Sequence, residues 1–290
     1  MFEIRDSAPS SKSAAHAALD GFLPPFSGGG AIDALDDLCN TLNGWRLELG
    51  EDAWNEVGRW CRSHRLFELV QQDPYTRRAF TKPRGYAGDA VMLDYIYLGP
   101  PENVSGVGLD VLRATTESPN GRSILDRRDR IAREIDAVAT RSAGARILAV
   151  AAGHLREAAH SNGLRNGSVS ELIALDQDAS SLEEIERSSE GLPVRTVVGS
   201  VLDVIRGRIE FAGDARSDFD LIYAAGLYDY LNDRMAHALS AKLFAMLAPG
   251  GILFLGNFTP QNRGRGYMEA FMDWHLICRD EPEIVEHALT

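Results

Sequence analysis

Arg146-Ile-Leu-Ala-Val-Ala-Ala-Gly-His-Leu-Arg-Glu157 is the stretch on which the fold turns. The apolar run fits a buried strand, Gly153 a turn, and the residues after it the start of a helix. A second apolar strand, Glu171-Leu-Ile-Ala-Leu175, ends at Asp176, 23 positions after Gly153. In a doubly wound sheet, an acid about 20 residues past the first turn lies at the tip of the second strand. From there it can accept hydrogen bonds from a ribose diol.

The alternation continues downstream. Val194-Arg-Thr-Val-Val198 is β-branched and runs into Gly199-Ser200-Val201-Leu202-Asp203. Phe219-Asp-Leu-Ile-Tyr-Ala-Ala225 reads as a fourth strand leading to Gly226-Leu-Tyr-Asp-Tyr230. A helix follows with Leu239, Leu243, Phe244 and Leu247 at helical spacing, stopped by Ala248-Pro-Gly-Gly251. Ile252-Leu-Phe-Leu255 is the fifth strand and ends at Gly256-Asn257-Phe258. Strands alternating with helices predict an α/β fold with a mostly parallel Rossmann-like sheet and helices on both faces. Ligands of such sheets bind at the carboxyl ends of the strands.

A dinucleotide site calls for Gly-x-Gly-x-x-Gly, so that backbone can approach a pyrophosphate. Here Ala151, Ala152, His154 and Leu155 surround a single glycine, and Glu157 is expected to repel a phosphate. The turn therefore suits an adenosine ligand without phosphates, and S-adenosylmethionine fits that description. The segment from about Arg146 to Asn257 resembles the class I S-adenosylmethionine-dependent methyltransferases. The resemblance implies that Gly153 stands for the glycine loop, Asp176 for the ribose acid, Val201 for the adenine wall, and Ala-Pro-Gly-Gly for the turn before strand five. It extends the cofactor set to Ala151, Arg156, Gln177, Ser200, Leu202, Ala224 and Gly226, with Tyr86 reaching in from upstream.

Composition narrows the partners. The chain has 290 residues, 44% of them hydrophobic, and a net charge of −12. That charge argues against a nucleic-acid substrate, whose phosphates need a basic face. No stretch approaches the ~20 apolar residues of a membrane span, and the amino terminus lacks a secretory apolar core. Cys39, Cys61 and Cys278 are scattered and odd in number, as expected of reduced cytoplasmic thiols, with no metal site.

The front half reads as a helical cap over residues 1–120, followed by the sheet domain over 121–290. Leu35, Leu38, Leu42 and Trp45, then Trp54, Val57, Trp60 and Cys61, repeat at helical spacing between Ala31 and about Val70. Such stripes serve as core or as the surface of a homodimer. A further helix, roughly Ser123 to Thr140, turns Ile124, Ile131 and Ile135 to the sheet and its charges to solvent. Between them, Lys82-Pro-Arg-Gly-Tyr-Ala-Gly-Asp89 has the content of a lid, with Asp89 as a helix N-cap and Arg84 able to clamp a carboxylate bidentately. Arg265-Gly-Tyr-Met-Glu-Ala-Phe-Met-Asp-Trp-His-Leu-Ile-Cys-Arg279 reads as an amphipathic helix starting near strand five. Its Tyr267, Asp273 and Trp274 are then expected near the strand-five mouth.

Lys-Pro-Arg-Gly-Tyr-Ala-Gly-Asp, Ala-Gly-His-Leu-Arg-Glu and Gly-Tyr-Met-Glu…Asp-Trp together resemble one bacterial methyltransferase group, over residues 75–280. Its members are described as making the methyl ester of 3-hydroxypalmitic acid. The resemblance implies a small carboxylate-bearing acceptor, while enzymes of similar build methylate thioethers or amines, including the sulfur of methionine. Methyl transfer from a sulfonium is an in-line displacement, and a carboxylate or thioether nucleophile needs no general base. Tyr228, Tyr230 and Asn257 are expected to orient the acceptor, with Arg84, Asp89, Tyr267 and Asp273 also lining its site. Tyr86, Tyr228 and His154 are the catalytic candidates, and His154 or His275 would serve where a base is needed. A nucleoside-sensing module without catalysis and an NAD-dependent enzyme are the readings from other classes. Class I methyltransferases close with an antiparallel strand pair, and Pro282–Thr290 is too short for one. Either the chain given is truncated or a partner supplies a strand.

Overall fold

The computed structural model describes residues 7–209, 211 and 218–289. They form two compact units, one running through Leu125 and including Gln261–His275, the other holding Asp126–Pro260 and the residues from Leu276 onward. The first contains α1 (Lys12–Asp20), α2 (Leu23–Ser27), α3 (Ala31–Glu48), α4 (Glu51–Arg62), α5 (Arg65–Val70), α6 (Pro74–Thr81), α7 (Ala90–Tyr97) and α8 (Gly106–Thr116). The boundary falls within α9 (Pro119–Arg141). Then β1 (Ala145–Val150), α10 (Asn162–Arg165), β2 (Val169–Asp176), α11 (Ala179–Ser188) and β3 (Val194–Val198) follow. The alternation runs on through α12 (Val201–Ile205), β4 (Phe219–Ala224), α13 (Asp233–Phe244) and β5 (Leu247–Leu255). α14 (Arg265–Phe271) belongs to the helical unit and α15 (Glu281–Leu289) to the sheet unit.

In the helical unit, the stretch from Ala31 to Val70 is three helices. Gly50 takes an extended conformation ahead of α4, and His64 caps α5 by accepting the Leu66 N–H on Nδ1. Leu35, Leu38, Leu42, Trp45, Trp54, Val57 and Cys61 are buried among the unit's own helices. These residues are core, and Trp60 of the same stripe is half-buried. Burial pushes the Cys61 thiol up to about 12, which leaves it inert. α14 packs on α3 and α4 with every residue from Gly266 to Phe271 buried. Its Glu269 is the unit's polar rivet. It accepts from Arg46 Nε at 2.7 Å and Trp54 Nε1 at 2.6 Å on one oxygen, and from Arg265 Nε at 2.8 Å on the other. The sequence-based helix over 265–279 stops at Phe271, because Asp273 turns into the left-handed region at φ 48.

In the sheet unit, five strands pair in the order β3-β2-β1-β4-β5, and every pairing is parallel. Alternate side chains along each strand serve opposite faces. Ile147, Ala149, Leu172, Ala174, Leu221 and Tyr223 pack with Ile131 and Ile135 of α9, Leu164 of α10 and Ile185 of α11. Leu148, Val150, Ile173, Leu175 and Ile222 pack on the other side with Val204 of α12, Leu239 and Leu243 of α13, and Ile284 of α15. The sheet is thus the doubly wound one expected from the sequence, covered on both faces.

Two boundaries differ. Ala248-Pro-Gly-Gly251 does not stop a helix but forms an irregular excursion within β5, where the pairing jumps from Phe219↔Leu247 to Leu221↔Ile252. Pro282–Leu289 is helix rather than part of a strand pair, packed against α13. Among the described residues, no helix is long and apolar enough to cross a membrane.

The close approach of α14 to α3 gives a direct test. A Cβ at Gly266 would lie 2.6 Å from the carbonyl carbon of Leu42 and 2.7 Å from the Asn43 nitrogen, both of them backbone. Gly266→Ala is expected to destabilise the protein by about 1–3 kcal/mol, read as a lower urea midpoint.

Candidate functional site

The strand order reverses between β1 and β4, so the chain leaves their carboxyl ends toward opposite faces and opens a crevice there. After β1 the backbone coils tightly. Ala151, Gly153 and Leu155 all take positive φ, at 53°, 58° and 49°. For the two non-glycine residues that conformation costs roughly 1–2 kcal/mol each, so something must hold the turn.

Asp176 at the tip of β2 holds it. One carboxylate oxygen accepts the Gly153 N–H at 2.8 Å, and the other accepts the Asp178 N–H at 2.9 Å. Asp176 is 7% exposed. Burial pushes its carboxyl above the ordinary range, opposed by the N–H groups of Asp178, Gly153 and Gln177 and aided by the charge of Asp178. An ionised carboxylate offers about four acceptor positions, so these two bonds leave room for further donors. The turn's own N–H groups are largely spent. Ala152 donates to Leu175 O at 3.0 Å, Gly153 to Asp176, and Leu155 to Ala152 O at 3.0 Å. Such a turn has few free donors to offer a pyrophosphate.

The expected helix after this turn is instead a 3-10 turn over Arg156–His160, followed by α10. That changes two assignments. Glu157 does not face the ligand side of the turn. Its carboxyl is buried and accepts the Tyr223 hydroxyl at 2.8 Å, and burial pushes it above the ordinary range. Arg156 reaches sideways to α11, pairing with Glu184 at 2.8 Å.

At the end of β3, a Cβ at Gly199 would lie 2.4 Å from Ile209 Cδ1, so the end of that side chain would have to shift. The Gly199 N–H donates to Asp176 O at 2.9 Å. Ser200 is spent in a capping box with Asp203 at the start of α12. Val201 is half-buried and packs against the core on the α12–α13 face of the sheet, and Leu202 is exposed. At the end of β4, Ala224 is buried and Gly226 lies against Arg127, whose Nη1 donates to Ala225 O at 2.7 Å.

The structure therefore gathers Ala151, Gly153, Asp176, Gln177, Ser200, Val201, Leu202, Ala224 and Gly226 at the carboxyl ends of β1–β4. It does not place every polar candidate on that surface. Tyr228 is fully buried beneath α13, with its hydroxyl 2.8 Å from Ser240 Oγ, and burial pushes it up to about 12. Tyr230, at the other end of the 3-10 turn Tyr228–Tyr230, is exposed. Asn257 spends its amide on Phe258 O and Ile277 O, and its oxygen accepts from Arg279. His154 is buried beside Gly153.

The remaining candidates lie in the helical unit. Asp89 caps α7 through the Met92 N–H at 2.9 Å and pairs with Arg78 at 2.7 Å, so its carboxylate is committed to structure. Tyr267 is buried with its hydroxyl 3.0 Å from Thr76 Oγ1. Asp273 pairs with Lys82 and with His275, and Arg84 and Tyr86 are half-buried in the same loop. Asp89 and Tyr267 are both buried, and each of their side-chain polar atoms already has a protein partner.

A polar knot in the sheet unit escaped the sequence reading. Asp229 is buried and accepts the Phe258 N–H at 2.7 Å, while its carbonyl accepts the Ile277 N–H. Arg279, also buried, donates to Tyr228 O, Leu231 O and Asp233, and its own N–H meets Phe258 O. The two residues tie the segments after β4 and β5 to the segment before α15. Asp229 stood in view between two tyrosines, but nothing in the sequence pairs it with residues about 30 and 50 positions away. Among the described residues, no cluster of three or more His, Cys, Asp or Glu could hold a metal ion.

No protein-family model and no curated protein matches this chain. Among solved structures it is similar to a Bordetella parapertussis protein described as a possible exported protein, with a TM-score of 0.55 and 14% identity over 76% of this chain and 86% of that one. It is also similar to a TehB-like S-adenosylmethionine-dependent methyltransferase from Corynebacterium glutamicum, with a TM-score of 0.37 and 19% identity over 60% and 79% of the chains. A third is an S-adenosylmethionine-bound amino pentose methyltransferase from Micromonospora echinaspora, with a TM-score of 0.35 and 23% identity over 47% and 52%. At such identities a likeness bears on fold, and activity has to be argued from the site.

Asp229 yields a pH test. Burial pushes its carboxyl up to about 6, against the Phe258 N–H and the charges of Arg127 and Arg279. A raised carboxyl favours the folded state below the unfolded value of about 4, and that contribution is lost as pH rises through about 6. Asp229→Asn keeps an oxygen for the Phe258 N–H. It is expected to flatten this part of the stability curve, measured by denaturant midpoints between about pH 4 and pH 7.

Proposed function

We propose that the sheet unit binds S-adenosylmethionine and acts as a methyltransferase on a small carboxylate-bearing molecule. One observation carries the cofactor reading: a buried carboxylate at the tip of β2 grips the turn after β1 at 2.8 Å and retains acceptor capacity. A ribose diol supplies the two donors such a carboxylate can take. The spent N–H groups of the turn suit an adenosine ligand lacking phosphates better than a dinucleotide. Glu157 plays no part in that preference, since its carboxyl is turned inward to Tyr223.

The donor set fits the cofactor. Asp176 would hold the ribose, Val201 and Leu202 would cover the adenine, and the backbone of Ala151 and Gly153 would lie along the amino acid portion. Gly226 leaves the end of β4 open toward the crevice. When bound, the cofactor supplies an electrophilic methyl carbon on a sulfonium. The chain's part is to orient and to exclude water. Tyr230, exposed after β4, is the acceptor-side residue we assign. A carboxylate or thioether acceptor needs no proton removed, so burial of Tyr228 removes nothing the reaction requires. A 3-hydroxy fatty acid is the first acceptor to try and methionine the second, and a labelled-methyl assay across both, with small amines as a third class, decides among them.

Calorimetric titration tests the cofactor site. S-adenosylhomocysteine is expected to bind with micromolar affinity and to outcompete NAD; the reverse preference overturns the reading. Hydrogen bonds to a charged group contribute about 1.5–3 kcal/mol each, so Asp176→Ala is expected to weaken binding by more than about a hundredfold. Asp176→Asn preserves the fold more closely and is expected to lose part of that. Because the folded carboxyl is raised, wild-type affinity should already decline at pH values above the ordinary carboxylate range, as protonation removes the acceptor.

A further inference from the structure

The helical unit carries a polar cavity of about 150 Å³ that opens to solvent. Trp54, Gly58 and Arg62 of α4 line it, with Glu269 of α14 and the following Asp273 and His275. A cavity of roughly this volume is large enough for a benzene-sized ligand.

Gly58 is an odd choice within a helix, where glycine is less favourable than alanine. A Cβ there would lie 3.3 Å from Arg62 Nη1 and 3.6 Å from Nη2. The missing side chain lets the guanidinium one turn later fold back along α4 into the cavity wall. Arg62 Nη1 donates to Ala270 O at 3.1 Å and to Glu269 O at 3.4 Å. Among the described residues no carboxylate pairs with this guanidinium, and its Nε and Nη2 make no hydrogen bond to the protein.

The acids around it are already neutralised. Glu269 is shared by Arg46 and Arg265. Asp273 meets Lys82 Nζ at 2.5 Å and His275 Nε2 at 3.4 Å. Arg59, on the same wall, pairs with Glu56. The charge left without a counterion is therefore the positive one on Arg62. Lys82 and Asp273, the two ends of one ion pair, both sit at positive φ, near 49° and 48°. At Lys82 that conformation is the left-handed C-cap of α6.

We infer that this cavity binds a small monocarboxylate, its carboxylate on the free edge of the Arg62 guanidinium and its apolar part against Trp54. The Trp54 N–H is spent on Glu269, so the indole can present only apolar surface to such a ligand. A guanidinium edge matches a carboxylate bidentately. A purely structural Arg62 would need only the carbonyl contacts made by Nη1.

Benzoate is the probe, added to the full chain and followed by NMR of the indole N–H signals and by calorimetry. Saturable binding is expected with a Kd on the order of 1 mM, and its neutral isostere benzamide should bind at least about tenfold more weakly. Arg62→Gln keeps an amide donor for Ala270 O and should weaken benzoate by about tenfold or more, with an unchanged thermal midpoint. Gly58→Ala should also weaken it, by displacing the guanidinium. The proposal is overturned by the absence of saturable binding, by equal affinity for benzamide, or by an Arg62→Gln protein that binds benzoate as wild type does. Inorganic phosphate binding as tightly as benzoate would overturn the carboxylate assignment. If Arg62→Gln does not fold, the benzoate–benzamide comparison on wild type decides alone. None of these outcomes depends on S-adenosylhomocysteine binding.

Discussion

Parallel strands cannot be joined by tight hairpins, so each return to the sheet is a crossover over one of its faces. That constraint organises the sheet unit. Ile147 and Ala149 face α9 and α10 while Leu148 and Val150 face α12 and α13, and all four are buried. The strands consequently read as continuous apolar runs. Moving from β3 at one edge to β4 beside β1 reverses the winding, and the crevice this makes is where the backbone is most contorted. The left-handed residues after β1 cluster there, and so does the acid that restrains them.

Asp176 shows what an acid at a strand tip can hold in place. The β2–β3 ladder fixes its backbone, since Asp176 pairs with Val198 in register. Its side chain therefore reaches the neighbouring turn without sampling alternatives, and the turn is organised before any ligand arrives. Pre-organisation of this kind removes ordering costs from binding. The carboxyl groups of Asp229 and Glu157 do the opposite work. Both point inward, one to the Phe258 N–H and the other to the Tyr223 hydroxyl, and they stiffen the surroundings without facing the crevice.

The helical unit solves a different problem. Its helices are short, and α14 is buried on all sides, so a charge inside it must be fully compensated. Three donors on Glu269 achieve this and join α3, α4 and α14 at one point. Arg62 is the exception to that economy. It lies beside the same group, over a glycine that makes room for it, with part of its guanidinium unused.

Local pattern was enough to locate the strands, the helical stretch from Ala31 to Val70, α9 and the acid at the tip of β2, because periodicity and spacing act over a few residues; α1, α2, α6 and α8 were not read from it. Leu35, Leu38 and Leu42 had to be buried somewhere, and Asp176 had to follow the second strand. What covers what is a longer-range question. The sequence could not tell whether Tyr228 points into the crevice or into the layer under α13, since both directions are open to a 3-10 turn and only Ser240 decides. It could not pair Asp229 with Phe258, or Arg279 with the carbonyls of Tyr228 and Leu231. Such choices depend on which buried polar groups meet, and a buried donor or acceptor takes whatever partner the packed chain brings within about 3 Å. The order of elements and the acid at the end of the second strand belong to the sequence by itself. The direction of each polar side chain around them belongs to the tertiary structure, because burial, not spacing, makes an unsatisfied group costly.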